Sequence, residues 1–223
     1  MVFVALSDLH LTPFFNRKKF ECLASIIRGA DRTAIVGDFW DGHLCTFDEF
    51  VRSPWKRLFP LLKERETLYF PGNHDPLEWC DERVNLFSVH QEEAVDLQVG
   101  EFHLHLEHGH RILPEIQTLT PEQFRMLHRY CPLIGWVDFL LFRVLLHGLG
   151  GDRWARFNNR NRIPRLKQRA RELAETGKWL VCGHLHLAEL DREAKYANCG
   201  FVGLGRASYL RVDQDMQLVD VRY

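Results

Sequence analysis

Short apolar runs, each followed directly by a polar turn, recur along the chain. They have three to five residues and are rich in β-branched and aromatic side chains, as buried strands are. The runs occupy residues 2–6, 33–36, 68–70 and 179–182. Because segments with helical spacing lie between several of them, the pattern predicts an α/β fold around a buried sheet.

Apolar and polar residues alternate in a second set of segments, which predicts antiparallel strands. Residues 95–99 and 101–106 alternate on the two sides of Gly100 and indicate a hairpin with one polar face. His103 and His105 lie on that face, where we expect them to be solvated. Three further segments are predicted to close the fold as strands: 196–200, 207–212 and 216–221.

Helical spacing of apolar residues predicts packing helices at 17–28 and 165–176, and on both sides of Pro54 within 47–62. Thr120 followed by Pro121 is typical of a helix start. The recurring pattern of short predicted strands is interrupted from about residue 120 to residue 177. We therefore predict one domain over residues 1–223 that carries a helical insertion at about 120–177.

Residues 133–149 of this insertion are apolar nearly all round but are interrupted by Asp138, Arg143 and His147. The segment is too short and too interrupted to predict a membrane span. One interpretation is a buried helix. The other is an apolar lid or groove for an acyl chain, with peripheral contact to a membrane surface.

An arginine and asparagine cluster follows the apolar segment. Such side chains can clamp phosphates and stack on a base, which makes them candidate substrate-binding residues. The alternative is a solvated basic face that continues into the next helix. The candidates are Arg153, Arg156, Asn159, Arg160 and Arg162.

Composition limits the function classes. The formal net charge is -1, so no global basic field recruits nucleic acid or anionic lipid, and such binding would need a local patch. The six cysteines are scattered without a Cys-x-x-Cys pair, which argues against a zinc ribbon and a disulfide framework. A cleaved signal peptide would remove Asp8 and His10, so we expect a cytoplasmic protein with reduced thiols, with the inner membrane face as the alternative.

Candidate metal ligands follow the predicted strands. Asp8 and His10 lie two apart, and on an extended segment both would face one side and reach one metal. His184 and His186 repeat this spacing, and twelve histidines in the chain point to metal or proton chemistry. The remaining strand-end candidates are Asp38, Asn73 and His108, with His110 uncertain.

Three polar residues near these ligands are candidates for other roles. Asp41 is interpreted either as an acceptor that orients a ligand or as a turn or cap residue. His74 is placed for proton transfer or for stabilising phosphoryl oxygens. Asp75 is the residue that we expect to orient His74.

The ordered set Asp8-x-His10, Gly37-Asp38, Gly72-Asn73-His74-Asp75, His108 and Gly183-His184-x-His186 resembles the calcineurin-like metallophosphoesterases over essentially the whole chain. The resemblance implies a four-layer αββα sandwich, in which two mixed sheets are flanked by helices. It also implies two divalent ions. Asp8, His10, Asp38 and His186 would bind one, Asp38, Asn73, His108 and His184 would bind the other, and Asp38 would bridge them.

Two divalent ions about 3.5–4 Å apart that share a hydroxide can polarise a phosphoryl group and offset charge in an in-line displacement. Mixed nitrogen and oxygen ligands without thiolate favour Mn, Fe, Co or Zn, with Mn expected first. The sequence therefore predicts a hydrolase of phosphoric ester or pyrophosphate bonds whose catalytic residues are His74 and Asp75.

One branch of the family is similar in more detail. The insertion, and Asp38-Phe39-Trp40-Asp41, resemble the UDP-2,3-diacylglucosamine pyrophosphohydrolases of lipid A synthesis, which yield UMP and an acylated glucosamine phosphate. The chain departs from that branch at His74, where the branch has Arg, and at His110, where it has Asp.

Three functions remain open at this point. The first is hydrolysis of a nucleotide-linked lipid, and the second is hydrolysis of a soluble nucleotide or nucleic-acid phosphoester. The third is a binding scaffold without catalysis. Scaffold relatives usually lose metal ligands, whereas all seven positions are kept here. The oligomeric state is left open.

Overall fold

The computed structural model describes residues 1–113, 120–130 and 152–223. Twelve strands lie in these residues: β1 (Phe3–Leu6), β2 (Arg32–Val36), β3 (Leu68–Phe70), β4 (His90–Gln91), β5 (Ala94–Val99), β6 (Phe102–Glu107), β7 (Trp179–Cys182), β8 (Glu189–Asp191), β9 (Tyr196–Asn198), β10 (Val202–Gly203), β11 (Arg206–Val212) and β12 (Met216–Arg222). Six α-helices accompany them: α1 (Arg17–Arg28), α2 (Phe47–Arg52), α3 (Phe59–Glu64), α4 (Pro121–Tyr130), α5 (Asp152–Asn158) and α6 (Ile163–Ala174).

The strands form two mixed sheets. The seven-stranded sheet has the order β10-β11-β1-β2-β3-β4, with β12 paired to β11. Strands β1 to β4 are parallel, and β11 runs antiparallel to β1. The five-stranded sheet has the order β5-β6-β7-β9-β8, in which β6, β7 and β9 are parallel. The hairpin predicted at Gly100 is β5 and β6.

Alternate residues of each buried strand face two different cores. In β1, Phe3 and Ala5 pack between the sheets, whereas Val4 and Leu6 pack against the helices. Because both faces are buried, the sequences of these strands are continuous apolar runs and do not alternate between apolar and polar residues.

Three apolar clusters separate four layers. One lies between the first sheet and α1, α2 and α3, the second between the sheets, and the third between the second sheet and α6. The predicted fold class, two mixed sheets flanked by helices, is confirmed.

Several predicted boundaries agree with the structure. The helix predicted at 17–28 is α1, and Asn16 caps it by accepting from the backbone N–H of Lys19 at 3.0 Å. The segment predicted as helical around Pro54 is α2, a 3₁₀ turn over Pro54–Leu58, and α3. The short strands β4, β8 and β10 were not predicted, because two or three residues carry no periodic signal.

The predicted insertion contains α4, α5 and α6 in its described parts. Thr120 begins α4, because its hydroxyl accepts from the backbone N–H of Gln123. Leu166, Ala170 and Leu173 of α6 pack on the second sheet, so this helix forms the outer layer there. Segment 133–149, predicted as a buried helix or an acyl lid, lies outside the described residues, and the single-domain boundary stays a prediction. Within residues 1–113, 120–130 and 152–223, each helix is too short or too polar to cross a bilayer.

Candidate metal centre

The predicted ligands come together at one edge of the sandwich. They lie in the turns after β1, β2, β3, β6 and β7, whose carboxyl ends point the same way because these strands are parallel within their sheets. Backbone hydrogen bonds connect the turns to one another. The N–H groups of Leu9 and His10 both donate to the carbonyl of Asp38 at 2.8 Å, and Gly183 donates to the carbonyl of His108 at 3.1 Å.

Five predicted ligands have a left-handed backbone: Asp8 (φ 54°), His10 (φ 44°), Asp38 (φ 53°), His184 (φ 69°) and His186 (φ 53°). The structure describes eight non-glycine residues of this kind, so most of this strain lies in the site. The expectation that Asp8 and His10, and later His184 and His186, face one side of an extended segment is therefore wrong. A left-handed residue turns the chain sharply, and this turn brings each side chain back over the strand ends.

Two glycines allow the turns to approach each other. Gly37 has φ +82°, and a Cβ on it would collide with the ring of His108. A Cβ on Gly72 would collide with the carboxylate of Asp38. The Gly-Asp and Gly-Asn pairs of the sequence are thus required by close packing of one ligand turn on the next.

Four ligand atoms form a first group, from Asp8, His10, Asp38 and His186, all within 4.8 Å of one another. His186 Nε2 lies 3.2 Å from Asp8 Oδ1, and His10 Nε2 lies 3.6 Å from Asp38 Oδ2. The two Nε2 atoms are 3.1 Å apart. Two ring nitrogens that face each other and two carboxylates must share protons or a cation.

A second group adjoins the first. His108 Nε2 lies 3.3 Å from Asp38 Oδ2 and 3.2 Å from Asn73 Oδ1, and His184 Nδ1 lies 3.0 Å from the same amide oxygen. His108 Nδ1 donates to the carbonyl of Val36 at 2.9 Å, which fixes the ring so that Nε2 faces the site. Oδ2 of Asp38 thus faces both groups, as a bridging carboxylate would.

The charges around this oxygen fit a cation site. Asp8 and Asp38 are buried, and burial opposes their ionisation. Nevertheless, neighbouring imidazoles lower the pKa of both carboxyls, and that of Asp38 lies well below its ordinary value. Burial would lower the pKa of His108, but the charge of Asp38 raises it to about 10. Nitrogen and oxygen ligands gathered around two ionised, buried carboxylates suit borderline divalent metals, which would replace the protons of the imidazoles.

Asp41 lies beside the first group and contacts two histidines. Its Oδ2 is 3.4 Å from His10 Nδ1, and its Oδ1 is 3.1 Å from His74 Nδ1. Burial disfavours the charged form of His74, but the carboxylate of Asp41 raises the pKa of His74 to about 9. Oδ1 also accepts from the backbone N–H of His43 at 3.1 Å, so Asp41 has both the orienting geometry and the turn geometry that the sequence left open.

Asp75 has a different position from the one expected. Its carboxylate accepts three backbone hydrogen bonds, from Asp38 (3.0 Å), Phe39 (2.6 Å) and Gly72 (2.6 Å). Burial and the charge of Asp38 raise its pKa to about 7, against the opposing effect of the Gly72 N–H. Asp75 therefore orients the Asp38 turn, whereas Asp41 is the residue that contacts the ring of His74.

The predicted arginine cluster divides into separate parts. Nη2 of Arg162 lies 2.8 Å from His184 Nε2, at the edge of the second group. By contrast, Arg156 is 3.4 Å from Glu189, and Arg160 is exposed and stacks on Phe157. Arg153 is also exposed. No described contact joins these three to the site, so the expectation of one phosphate clamp is not met by the described residues.

Asn159 is buried and anchors a turn. Its amide donates to the carbonyls of Ala155 at 3.0 Å and Leu185 at 3.2 Å. The bond to Leu185 attaches the turn between α5 and α6 to the loop that carries His184 and His186. The structure gives Asn159 a supporting position, and its expected substrate contact stays a prediction.

Supporting residues were missed by sequence reasoning. Ser7 is buried, and its single hydroxyl proton can be donated either to the carboxylate of Asp8 or to the carbonyl of Val36. Asn198 donates to the carbonyl of Gly183 at 2.6 Å. His43, whose Nδ1 lies 3.1 Å from His74 Nδ1, was also missed. A signal existed for His43, since it follows Asp41 by two residues in the same strand-end turn.

His110, which the sequence left uncertain, has its ring 5.4 Å from that of His108. Its Nδ1 is buried without a hydrogen-bond partner in the described structure. Burial and the charge of His108 lower its pKa to about 4. His110 is therefore neutral beside the second group.

Comparison with known proteins agrees with the fold. The family described as calcineurin-like phosphoesterase matches residues 1–188 of the 223. No curated protein matches the chain. Among solved structures, YfcE, a phosphoesterase from E. coli, is similar with a TM-score of 0.50 and 16% identity, over 100% of this chain and 99% of that one.

Two further structures are similar over nearly their whole lengths. A predicted phosphoesterase of Streptococcus pneumoniae TIGR4 has a TM-score of 0.44 and 14% identity, over 99% of this chain and 88% of that one. A single mutant of Vps29 from Entamoeba histolytica has a TM-score of 0.45 and 14% identity, over 100% and 99%.

Proposed function

Because the chain belongs to the calcineurin-like phosphoesterase family, we propose that it is a dinuclear metal-dependent hydrolase of phosphodiesters or pyrophosphates. The observation that carries the proposal is the position of Asp38, whose single oxygen Oδ2 faces both ligand groups.

Each ligand group would hold one divalent cation, of which Mn is the first to test. The first group is Asp8, His10, Asp38 and His186, and the second is Asp38, Asn73, His108 and His184. When bound there, divalent cations would supply polarisation of the phosphoryl oxygens and a lowered pKa of water for in-line displacement at phosphorus.

His74 is the proposed acid for the leaving oxygen. Asp41 fixes its Nδ1 and keeps the ring protonated near neutral pH, while 28% of the side chain remains exposed toward solvent. A protonated imidazole that is held on one side and open on the other can donate its remaining proton to a departing oxygen.

The substrate proposed first is a nucleotide-linked lipid, UDP-2,3-diacylglucosamine. Two arginines from the insertion reach the region of the site, which suits the two phosphates of a pyrophosphate. Arg162 lies against His184, and Arg125 donates to the carbonyl of Gly42, next to Asp41. The acyl chains would be bound by segment 133–149, for which the support is the sequence pattern alone.

A soluble phosphodiester is the second candidate. It is favoured by His74 and His110, which stand where the lipid-cleaving branch has Arg and Asp. His74 can supply a proton to a simple alcohol or phenol, whereas an arginine at this position supplies charge only.

The test is product analysis in water labelled with oxygen-18. Protein stripped of metal and reloaded with Mn²⁺ is offered UDP-2,3-diacylglucosamine and, separately, an aryl phosphodiester. Labelled UMP would support the lipid substrate with attack at the α-phosphorus, and turnover of the aryl diester alone would favour the soluble one.

Two variants control this experiment. Asp38→Asn should lose metal and activity together, because it removes the charge of the shared oxygen. Asp215→Asn removes an exposed carboxylate paired with Arg192 and should change neither. Two bound metal ions per chain with no turnover of either substrate would refute the proposed hydrolase.

A further inference from the structure

We propose that His43 is a positioning residue that fixes the ring of His74 for protonation of the leaving group. This inference rests on the proposed function, in which His74 is the acid. It adds a second imidazole to the contact between His74 and Asp41.

The turn that carries His43 is held on both sides. The N–H of Gly42 donates to the carbonyl of His74 at 2.8 Å, and Arg125 of α4 donates to the carbonyl of Gly42. A Cβ on Gly42 would collide with Trp79 and with the backbone of His74. The turn can therefore approach His74 this closely only because residue 42 is a glycine.

The ring of His43 is held by aromatic neighbours. It is 5.8 Å from Trp79 and 5.7 Å from Phe124 of α4. On its third side it makes an edge contact with the ring of His74 at 4.4 Å between centroids. His43 thus meets His74 in one fixed orientation.

The direction of the hydrogen bond follows from Asp41. His74 Nδ1 faces Asp41 Oδ1 at 3.1 Å, and a carboxylate only accepts, so Nδ1 carries a proton. His43 Nδ1 lies 3.1 Å from the same nitrogen and must be an acceptor. The backbone N–H of His43 donates to Asp41 Oδ1 at 3.1 Å, so one residue contacts both members of the pair.

Two acceptors at one N–H restrain the plane of the His74 ring. The ring-nitrogen contacts described for His74 are all at Nδ1, so Nε2 can face the substrate. In the reaction, water forms the new bond to phosphorus and the bond to the leaving oxygen breaks. That oxygen keeps the electron pair and takes the Nε2 proton of His74. The attacking water releases a proton to solvent, and solvent returns one to His74.

Two substitutions separate the hydrogen bond from the packing. His43→Phe keeps a ring between Trp79 and Phe124 but removes the acceptor. His43→Asn loses the ring but places an amide oxygen where Nδ1 was. Both are assayed in the full chain with Mn²⁺, alone and combined with His74→Asn, on aryl phosphodiesters whose leaving groups range from nitrophenol to unsubstituted phenol.

Poor leaving groups need the acid most. His43→Phe should lower kcat roughly tenfold for the phenyl ester and about twofold or less for the nitrophenyl ester, with KM unchanged. His43→Asn should recover most of the phenyl activity. In the His74→Asn background, His43→Phe should have no further effect, because its contribution passes through that ring.

The outcomes distinguish the inference from the function on which it rests. If His74→Asn shows the leaving-group dependence and His43→Phe lowers kcat equally for all esters, His43 only packs and the inference is wrong. If His74→Asn lowers kcat equally for all esters, the acid role of His74 and the role of His43 are both wrong.

Discussion

The substitution Asp75→Asn tests how the bridging carboxylate is held. Asp75 is buried, and its two oxygens receive the backbone N–H groups of Asp38, Phe39 and Gly72. An amide of the same shape can accept at one oxygen only. Its NH₂ group would then face a backbone N–H without an acceptor between them.

The expected loss of stability can be worked out bond by bond. If the amide oxygen takes the place of Oδ1, it keeps the bonds to Asp38 and Gly72, weakened because the acceptor is neutral. The bond to Phe39, at 2.6 Å, is lost and two buried donors face each other. A lost bond to a charged group costs about 1.5–3 kcal/mol, and an unsatisfied buried donor costs about 1–3 kcal/mol. Part of this loss is offset because a neutral amide does not carry the cost of burying a charge, which is what raises the pKa of Asp75 to about 7. We expect a net loss of about 2–4 kcal/mol, or roughly 6–12 °C in Tm.

The assay is urea unfolding at pH 8 with a chelator present, so that metal binding does not contribute. Asp215→Asn, at an exposed ion pair, is the control and should change the unfolding free energy by less than about 0.5 kcal/mol. Metal titration of Asp75→Asn should show affinity lowered by about 10–100-fold, because the Asp38 turn is no longer fixed. A stability loss below about 1 kcal/mol with unchanged metal affinity would show that the three N–H bonds do not hold the turn.

Two other predictions concern backbone strain and pH. His10 has φ 44°, so without metal His10→Gly should be more stable than His10→Ala by about 0.5–1 kcal/mol. His108 has no positive φ, so there the Ala variant should be more stable than the Gly variant. Urea unfolding of the four variants tests both expectations. Glu107 and Asp96 raise the pKa of half-buried His105. Its stabilising contribution is therefore complete below the unfolded pKa of about 6.5 and is lost as the pH rises through the folded value. His105→Gln should flatten the dependence of unfolding free energy on pH in that window, and an unchanged slope would contradict the assignment.

Strand positions could be predicted because the same residues that form the strands also fill the cores. The runs at 68–70 and 179–182 are β3 and β7 without correction, since both of their faces are buried. Their carboxyl ends also carried the candidate ligands, and parallel pairing brings such ends to one edge. The positions of the apolar runs therefore predicted where the candidate ligands would lie.

Side-chain partners could not be predicted in the same way. Asp75 follows His74 in sequence, which suggested that it orients that ring, but its carboxylate instead accepts from residues 38, 39 and 72. Neighbouring residues in a turn point in different directions, and sequence distance says nothing about them. The expectation of one phosphate clamp was not met for a related reason. Helix α5 and the turn after it distribute Arg156, Arg160 and Arg162 over different surfaces.

The left-handed residues show why the site depends on the whole fold. Asp8, His10 and Asp38 occupy a conformation that costs a non-glycine residue about 1–2 kcal/mol. The conformation persists because neighbouring turns compensate for it. Leu9 and His10 donate to the carbonyl of Asp38, and the Asp38 turn in turn donates to Asp75. Each ligand turn is thus stabilised by the next one, so the strain at any of them is relieved only if several turns move together. A site built this way keeps its ligand atoms close before a cation arrives, and the free energy of the fold, rather than that of metal binding, supplies the cost of bringing them together.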